Sequence, residues 1–207
     1  MTKALKKDLR RNQRIEICGS IAAGKTTLCR LLAKDEAIFE NFSSNPFYKK
    51  FYIDPVKYAF ETEITFTLQH YEAIKSADPS IPNLITDYSL YQDLAYANMN
   101  LSGQKRDVFS SLYQLLQEEI GHPEIVVFLE CAPRVLLNRV KKRARPNESE
   151  IPLVYLEALQ KELQKTLKNS PSRVIYLSSE KYDFAHSNSD QKAVLSYLQS
   201  EGVNLNA

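Results

Sequence analysis

The chain has 207 residues, of which 43% are hydrophobic and 25% charged, a composition typical of one soluble globular domain. No stretch approaches the roughly 18 to 20 apolar residues that a transmembrane helix needs. The N-terminal segment is basic and lacks the apolar stretch of a secretory signal. We therefore expect a cytoplasmic protein and no membrane association.

Charge is unevenly distributed along the chain. Residues 1–14 hold six Lys or Arg side chains against one Asp, a charge of +5, so the remaining 193 residues sum to −3 within the net charge of +2. A nearly neutral body is not the electrostatic footprint of a nucleic-acid-binding protein. We expect a basic tail over residues 1–13, one folded domain over 14–207 and no nucleic-acid partner.

The three cysteines are Cys18, Cys29 and Cys131, and their spacing matches no metal-binding pattern. An odd number of cysteines argues against a disulfide framework. Buried thiols in a reducing compartment are the simplest interpretation.

Short apolar runs rich in β-branched residues predict the strands of a parallel sheet buried on both faces. Four such runs lie at 14–18, 83–86, 124–130 and 173–177, and a weaker fifth lies at 37–40. Helical patterns separate them; one begins at Asp54 and Pro55, because Asp can cap a helix and Pro fits its first turn. The alternation predicts an α/β fold with a five-stranded, doubly wound sheet.

The segment GSIAAGKT at 19–26 matches G-x-x-x-x-G-K-[ST], directly after a predicted strand, and it holds two of the chain's five glycines. In such a loop the backbone N–H groups surround phosphates, Lys25 neutralises them and the Thr26 hydroxyl binds Mg²⁺. The predicted phosphate-binding residues are Gly19, Ser20, Ala22, Ala23, Gly24, Lys25, Thr26 and Thr27. Asp87, at the end of the predicted strand 83–86, is a second candidate magnesium ligand or a helix cap. The loop and the chain length favour a small-molecule kinase.

Beyond the loop, four segments carry a more specific resemblance: FENFSSNPFYKKFYIDPVKYAF, DYSLYQD, NRVKKRARPNESEIPLVYLEAL and EKYDF. In order and spacing they resemble the motifs of the deoxynucleoside kinases, such as bacterial deoxyadenosine/deoxyguanosine kinases. The resemblance implies a P-loop kinase fold with an arginine lid, phosphorylation of a (deoxy)nucleoside on its 5′-hydroxyl by ATP and Mg²⁺, and a homodimer.

The resemblance also implies individual roles. Glu40 takes the place of the general base, which would accept the proton of the attacking hydroxyl. Tyr52 and Glu148 match the pair that binds the sugar 3′-hydroxyl. The lid arginines Arg143 and Arg145 would stabilise the transferred phosphoryl group together with Lys25. The expected contacts to ATP outside the loop are Arg139, Asp183 and Phe184.

Three positions depart from the family pattern. Tyr88 replaces the arginine of the Asp-Arg-Ser motif, Glu63 replaces a base-reading glutamine, and His70 replaces an arginine further along the same helix. An ionised carboxylate only accepts hydrogen bonds, so Glu63, with Asp93 as a second contact, leads to the hypothesis of a guanine-like base. The alternative is that Glu63 and His70 form a polar helix face in solvent. We predict a substrate-binding set of Tyr52, Glu63, His70, Tyr88, Asp93 and Glu148.

Two other functions stay open from the sequence. A nucleoside monophosphate kinase of the thymidylate-kinase type shares the loop, but it would need cations for the acceptor phosphate, and residues 41–75 offer four lysines against several acids. A nucleotide-binding regulator without turnover is the other alternative, because tyrosine at position 88 cannot supply a cation.

Overall fold

The centre of the protein is a parallel sheet of four strands. The computed structural model describes residues 13–33, 36–145, 148 and 150–205, so the basic tail predicted over 1–13 lies outside the described residues apart from Gln13. The strands are β1 (Gln13–Gly19), β2 (Asn83–Thr86), β3 (Ile125–Glu130) and β4 (Arg173–Ser178). They lie in the order β2-β1-β3-β4, and every neighbouring pair is parallel.

The four stronger strand predictions are confirmed to within one residue at each end, and the fifth is wrong. In the described residues around 37–40 the only pairing is a single parallel bridge between Ile38 and Thr86. Ile38 donates to the Ile85 carbonyl oxygen at 2.9 Å and accepts from the Asp87 amide at 3.2 Å. The amide that would continue this pairing is that of Glu40, two residues after Ile38. It donates to the Asp87 carboxylate and not to a backbone carbonyl. The pairing ends there because a side chain has taken the hydrogen bond that a strand would need.

Eight helices surround the sheet in the described part of the chain. They are α1 (Lys25–Ala33), α2 (Tyr48–Ile53), α3 (Pro55–Lys75), α4 (Leu90–Asn100), α5 (Gly103–Ile120), α6 (Pro133–Arg143), α7 (Leu153–Lys168) and α8 (Asn188–Ser200). As predicted, Asp54 caps α3, accepting from the Lys57 amide at 3.1 Å, and Pro55 occupies the first turn. A short 3-10 turn, Phe42–Ser44, precedes α2.

Both faces of the sheet are covered, which confirms the doubly wound architecture. On one face Ile15 and Ile17 pack in a core that includes Leu28 of α1 and Leu198 of α8. On the other face Cys18, Val126 and Phe128 pack against α4 and α7. A third apolar cluster joins α3, α4 and α5 beside the sheet. None of the helices in the described ranges is long and apolar enough to cross a membrane.

The parallel sheet places the ends of its strands at one edge. The loop 19–26 follows β1, Asp87 follows β2 and Ser179 follows β4. In doubly wound sheets this carboxyl edge is where ligand sites form. The sequence segments that carried the functional predictions are therefore brought together by the fold.

Candidate active site

A cavity of about 1180 Å³ lies at this edge. The predicted site residues that line it are Ala22, Ala23, Gly24, Lys25, Thr26, Thr27, Glu40, Tyr52, Glu63, Asp87, Asp93, Arg139, Arg143, Arg145, Glu148, Asp183 and Phe184. Gly19, Ser20, His70 and Tyr88 do not line it, and the last two are buried side chains. The fold thus gathers residues spread from 22 to 184 around one space.

The loop 19–26 has the backbone that its glycine spacing predicts. Gly24 has φ +101°, and a Cβ at this position would lie 3.2 Å from the Phe184 ring. A side chain here would be both strained and crowded. Lys25 Nζ donates to the carbonyl oxygens of Gly19 at 2.9 Å and Ser20 at 3.1 Å. Burial lowers the pKa of Lys25, although the carboxylates of Glu40 and Asp87 oppose that shift.

Asp87 joins the loop to the segment that carries Glu40. The Thr26 hydroxyl donates to Asp87 Oδ2 at 2.6 Å, and the Glu40 backbone amide donates to Asp87 Oδ1 at 2.6 Å. The alternative role of Asp87 as a helix cap is wrong, because Ser89 caps α4 and accepts from the Tyr91 amide at 3.2 Å. A hydroxyl beside a carboxylate is a donor set of hard oxygens that fits Mg²⁺.

Glu40 lines the cavity, and its side chain is 29% exposed. Burial alone would raise the pKa of its carboxyl group. His70, Lys25 and Arg145 outweigh burial, so the pKa of Glu40 lies below its usual value. The group is ionised at neutral pH and can accept a proton from a bound hydroxyl.

The buried carboxylate of Glu148 contacts both predicted lid arginines. Arg143 Nε donates to Glu148 Oε2 at 2.9 Å, and a second nitrogen of the same guanidinium contacts the same oxygen. Arg145 Nη1 lies 3.7 Å from Glu148 Oε1, and its guanidinium lies 4.7 Å from the centre of the Phe42 ring. One carboxylate therefore holds both predicted lid arginines at the cavity wall.

Glu148 also reaches the aromatic residues of α2. Tyr48 donates to Glu148 Oε1 at 3.0 Å, and the Tyr48 ring packs edge-on against Tyr52 with 5.3 Å between centres. Burial, followed by the charge of Glu148, raises the pKa of Tyr48 to about 12. Tyr52 and Glu148, predicted as a pair, are thus connected through Tyr48.

The residues predicted to contact ATP outside the loop have distinct surroundings. Arg139 Nη1 donates to Ser179 Oγ at 2.9 Å and to the Ala23 carbonyl oxygen at 3.4 Å, which ties the loop to the end of β4. Phe184 is buried against Gly24, whereas Asp183 is exposed and lies 3.0 Å from His186 Nδ1.

At the opposite end of the cavity, α3 and α4 present buried polar groups. Glu63 Oε1 accepts from Asn100 Nδ2 at 2.7 Å. His70 Nδ1 lies 3.0 and 2.9 Å from the two Asp93 carboxylate oxygens. The His70 ring stacks on Tyr88 with 3.9 Å between centres and 11° between planes.

At this end the alternative of a solvent-exposed polar face is wrong, whereas the guanine hypothesis stays a prediction whose premise, an ionised Glu63, is affected by burial. Glu63 and His70 do not form a solvent-exposed face, since they are only 5% and 4% exposed. The guanine hypothesis treated Glu63 as ionised, but burial raises the pKa of Glu63 to about 8. At neutral pH the protonated acid therefore predominates, and it both donates and accepts as an amide does.

The sequence and the fold both have known relatives. The family model described as "Deoxynucleoside kinase" matches residues 15–202. The chain belongs to the deoxynucleoside kinase family. Its members phosphorylate deoxynucleosides to monophosphates.

Individual relatives agree with the family assignment. The chain is similar to a deoxyguanosine kinase of Bacillus subtilis, 26% identical over 197 residues that cover 89% of this chain and 95% of the relative. It is 30% identical over 204 residues to a deoxyguanosine kinase of Lactobacillus acidophilus, covering 89% and 88% of the two chains. A structure of deoxyadenosine kinase from M. mycoides with bound dCTP has a TM-score of 0.75 at 22% identity and covers 90% of this chain and 99% of that one.

This deoxynucleoside kinase has further cavity residues that the sequence analysis missed: Phe42, Tyr48, Phe66, Gln92, Tyr96, Asn100 and Tyr155. Asp93, Tyr96 and Asn100 recur at helical spacing on α4, so a search for polar residues on the face of Asp93 would have found Asn100. Tyr48 gave no comparable signal, because its role depends on Glu148, one hundred residues away.

The raised pKa of Glu63 predicts a pH-dependent stability. Between its usual value of 4.5 and about 8, the folded chain keeps a proton that the unfolded chain releases. The stabilisation that the protonated Glu63 carboxyl group provides is therefore complete below this window, and it is lost as the pH rises through the window. Relative to Glu63→Gln, we expect the free energy of unfolding of the wild type to fall by up to about 1.4 kcal/mol per pH unit.

Urea unfolding at several pH values between 5 and 8 measures this difference. Glu72→Gln, which changes an exposed carboxyl group on the same helix, is the matched control and should follow the wild type. Parallel pH dependences of wild type and Glu63→Gln would contradict the prediction.

Proposed function

We propose that this chain transfers the γ-phosphoryl group of ATP, with Mg²⁺, to the 5′-hydroxyl of a deoxynucleoside. The observation that carries the proposal is the hydrogen-bonded connection Thr26–Asp87–Glu40. It places a carboxylate that can accept a proton beside the loop that would hold the triphosphate. Phosphoryl transfer requires mainly such positioning and charge stabilisation.

On the donor side, the N–H groups of the loop and Lys25 would bind the ATP phosphates. Phe184 and Asp183 would border the adenine, since Phe184 packs directly on Gly24. Arg139 would act mainly by fixing the loop, because its guanidinium is already bonded to Ser179 and the Ala23 carbonyl. Thr26 and Asp87 would hold Mg²⁺, which neutralises charge on the phosphates when bound.

On the acceptor side, Glu40 would accept the proton of the 5′-hydroxyl. Tyr52, with Tyr48 and Glu148, would bind the sugar 3′-hydroxyl through the polar cluster that joins α2 to the lid. Arg143 and Arg145 line the same cavity and would stabilise the transferred group when they exchange contacts with Glu148 for contacts with phosphate.

The nucleobase would lie between Glu63 and Asp93. A protonated Glu63 resembles an amide and accepts several base edges, whereas an ionised Glu63 favours guanine, which offers N1–H and N2–H as adjacent donors. Two of the relatives above are named deoxyguanosine kinases, which supports a deoxyguanosine substrate. Tyr88 and His70 would act on the substrate indirectly, since neither lines the cavity.

The first experiment measures phosphoryl transfer from Mg²⁺·ATP to a panel of deoxynucleosides, ribonucleosides and nucleoside monophosphates. We expect transfer to a deoxynucleoside. Lys25→Ala and Glu40→Gln should each lower kcat by about 10² to 10⁴, because they remove the phosphate-binding cation and the general base.

The same panel separates the alternatives. Transfer to monophosphates alone would identify a nucleoside monophosphate kinase. ATP binding without any transfer would identify a nucleotide-binding regulator, and Glu40→Gln would then leave ATP affinity unchanged. Arg134→Gln, which alters a cation of α6 outside the cavity-lining residues, is a charge-matched control that should keep full activity.

Base preference should depend on pH. As the pH rises from 6.5 to 8.5 through the Glu63 pKa of about 8, kcat/KM for deoxyguanosine should rise relative to deoxyadenosine by about threefold to tenfold. Glu63→Gln should remove this change, because an amide does not ionise in that range. A ratio that changes equally in wild type and variant would assign the effect to another group.

We also propose a cytoplasmic homodimer. Four apolar side chains on α3 and α5 are exposed, Val56 at 90%, Leu68 at 42%, Val108 at 48% and Leu115 at 62%, and burying such surface favours association. Three free, buried cysteines fit a reducing compartment. Sedimentation equilibrium should give twice the mass of 23.7 kDa, and Leu115→Glu should shift it toward the monomer; a monomeric wild type would contradict this.

A further inference from the structure

Several acidic side chains lie at the end of the cavity where the substrate would bind. Glu40, Glu63 of α3 and Asp93 all line the cavity. Among the described residues, the cationic group in contact with both Glu40 and Asp93 is His70. Two carboxylates in a buried site repel each other unless a positive charge lies between them.

The position of the His70 ring is tightly determined. Its Nδ1 lies 2.9 Å from the nearer Asp93 oxygen, and its Nε2 lies 3.5 Å from Glu40 Oε1. The ring stacks on Tyr88 and also on Phe66, with centre distances of 3.9 and 5.9 Å. The two stacking rings fix its plane, so its two nitrogens are directed at two different carboxylates.

The contacts of the ring with two carboxylates favour a proton on each of its nitrogens. Burial by itself lowers the pKa of His70, but Asp93 and Glu40 outweigh it and raise the pKa to about 10. The Nδ1–H is used by Asp93. Nε2 is buried and has no hydrogen-bond partner within the described residues, so Glu40 is the acceptor in reach of its N–H.

We propose that His70, as an imidazolium, is a positioning residue that orients the Glu40 carboxylate toward the acceptor hydroxyl and couples it to Asp93 at the nucleobase end. The inference rests on the proposed function, in which Glu40 is the general base. His70 acts through Glu40 and Asp93, because the ring does not line the cavity. Tyr88 contributes as the surface on which the ring stacks.

The charge of His70 can be tested without any activity measurement. The chain has three histidines, so ¹⁵N-histidine labelling gives three sets of ring signals, which His122→Asn and His186→Asn assign by elimination. We expect His70 to show two protonated ring nitrogens at pH 7.5. A neutral ring at that pH would overturn the proposal.

Two variants separate the contacts of the ring. In His70→Asn, the side-chain amide can replace the Nδ1–H that faces Asp93, but it does not reach Glu40. In His70→Gln, the amide can replace the Nε2–H that faces Glu40, but it does not carry the positive charge of the imidazolium. We expect kcat for the nucleoside to fall about 10² in His70→Asn, and less in His70→Gln, because misplacing a catalytic group by about 1 Å costs that much. The KM for ATP should stay within about twofold of wild type, and His122→Asn should keep full kcat.

Thermal unfolding of each variant shows whether the fold is intact. Equal kcat in wild type and both variants would overturn the proposal, as would equal losses in kcat and in ATP binding, which indicate a general structural role. If His70→Asn does not fold, the kcat of His70→Gln and the NMR spectrum of the wild type test the proposal. If the wild type phosphorylates no nucleoside, the proposed function fails, whereas the NMR result still reports the charge of His70.

Discussion

The hydrogen bonds of Asp87 are the constraint on which the site depends. Its carboxylate accepts from the Thr26 hydroxyl of the loop and from the Glu40 backbone amide, both at 2.6 Å. Three segments that are distant in sequence are thereby held at one edge of the sheet. The same bonds explain why residues 37–40 form one bridge and no fifth strand, since the Glu40 amide is already used. The Asp87 carboxylate thus takes the place of a backbone pairing partner and holds Glu40, the proposed general base, beside the phosphate loop.

Charge balance is the second constraint. The substrate end holds several buried acids, and burying an ionised group is costly without a partner. The protein deals with them in different ways: Asp93 and Glu40 share the His70 cation, whereas Glu63 retains its proton and accepts from Asn100. Two residues that depart from the family pattern, His70 and Tyr88, form one stacked unit here. The cation that tyrosine cannot provide is supplied from a neighbouring helix.

The lid shows how one carboxylate can connect two functions. Glu148 contacts Arg143 and Arg145, which would meet phosphate, and Tyr48, which leads to the predicted sugar-binding Tyr52. A change on the sugar side can therefore alter the position of the arginines on the phosphate side. Contacts of this kind, in which charged side chains exchange partners, are well suited to a site that must bind, react and release.

The sequence by itself determined the order of strands and helices along the chain and the phosphate loop, because a buried parallel strand is a short apolar run and the loop has fixed glycine spacing. It also determined which residues the resemblance assigns to the site. Only the tertiary structure decided the state of those residues. The protonation of Glu63 follows from burial, and the pairing of His70 with Asp93 and Glu40 joins residues from three separate segments. Such properties depend on which groups share a low-dielectric space, and neither periodicity nor spacing along one chain records that.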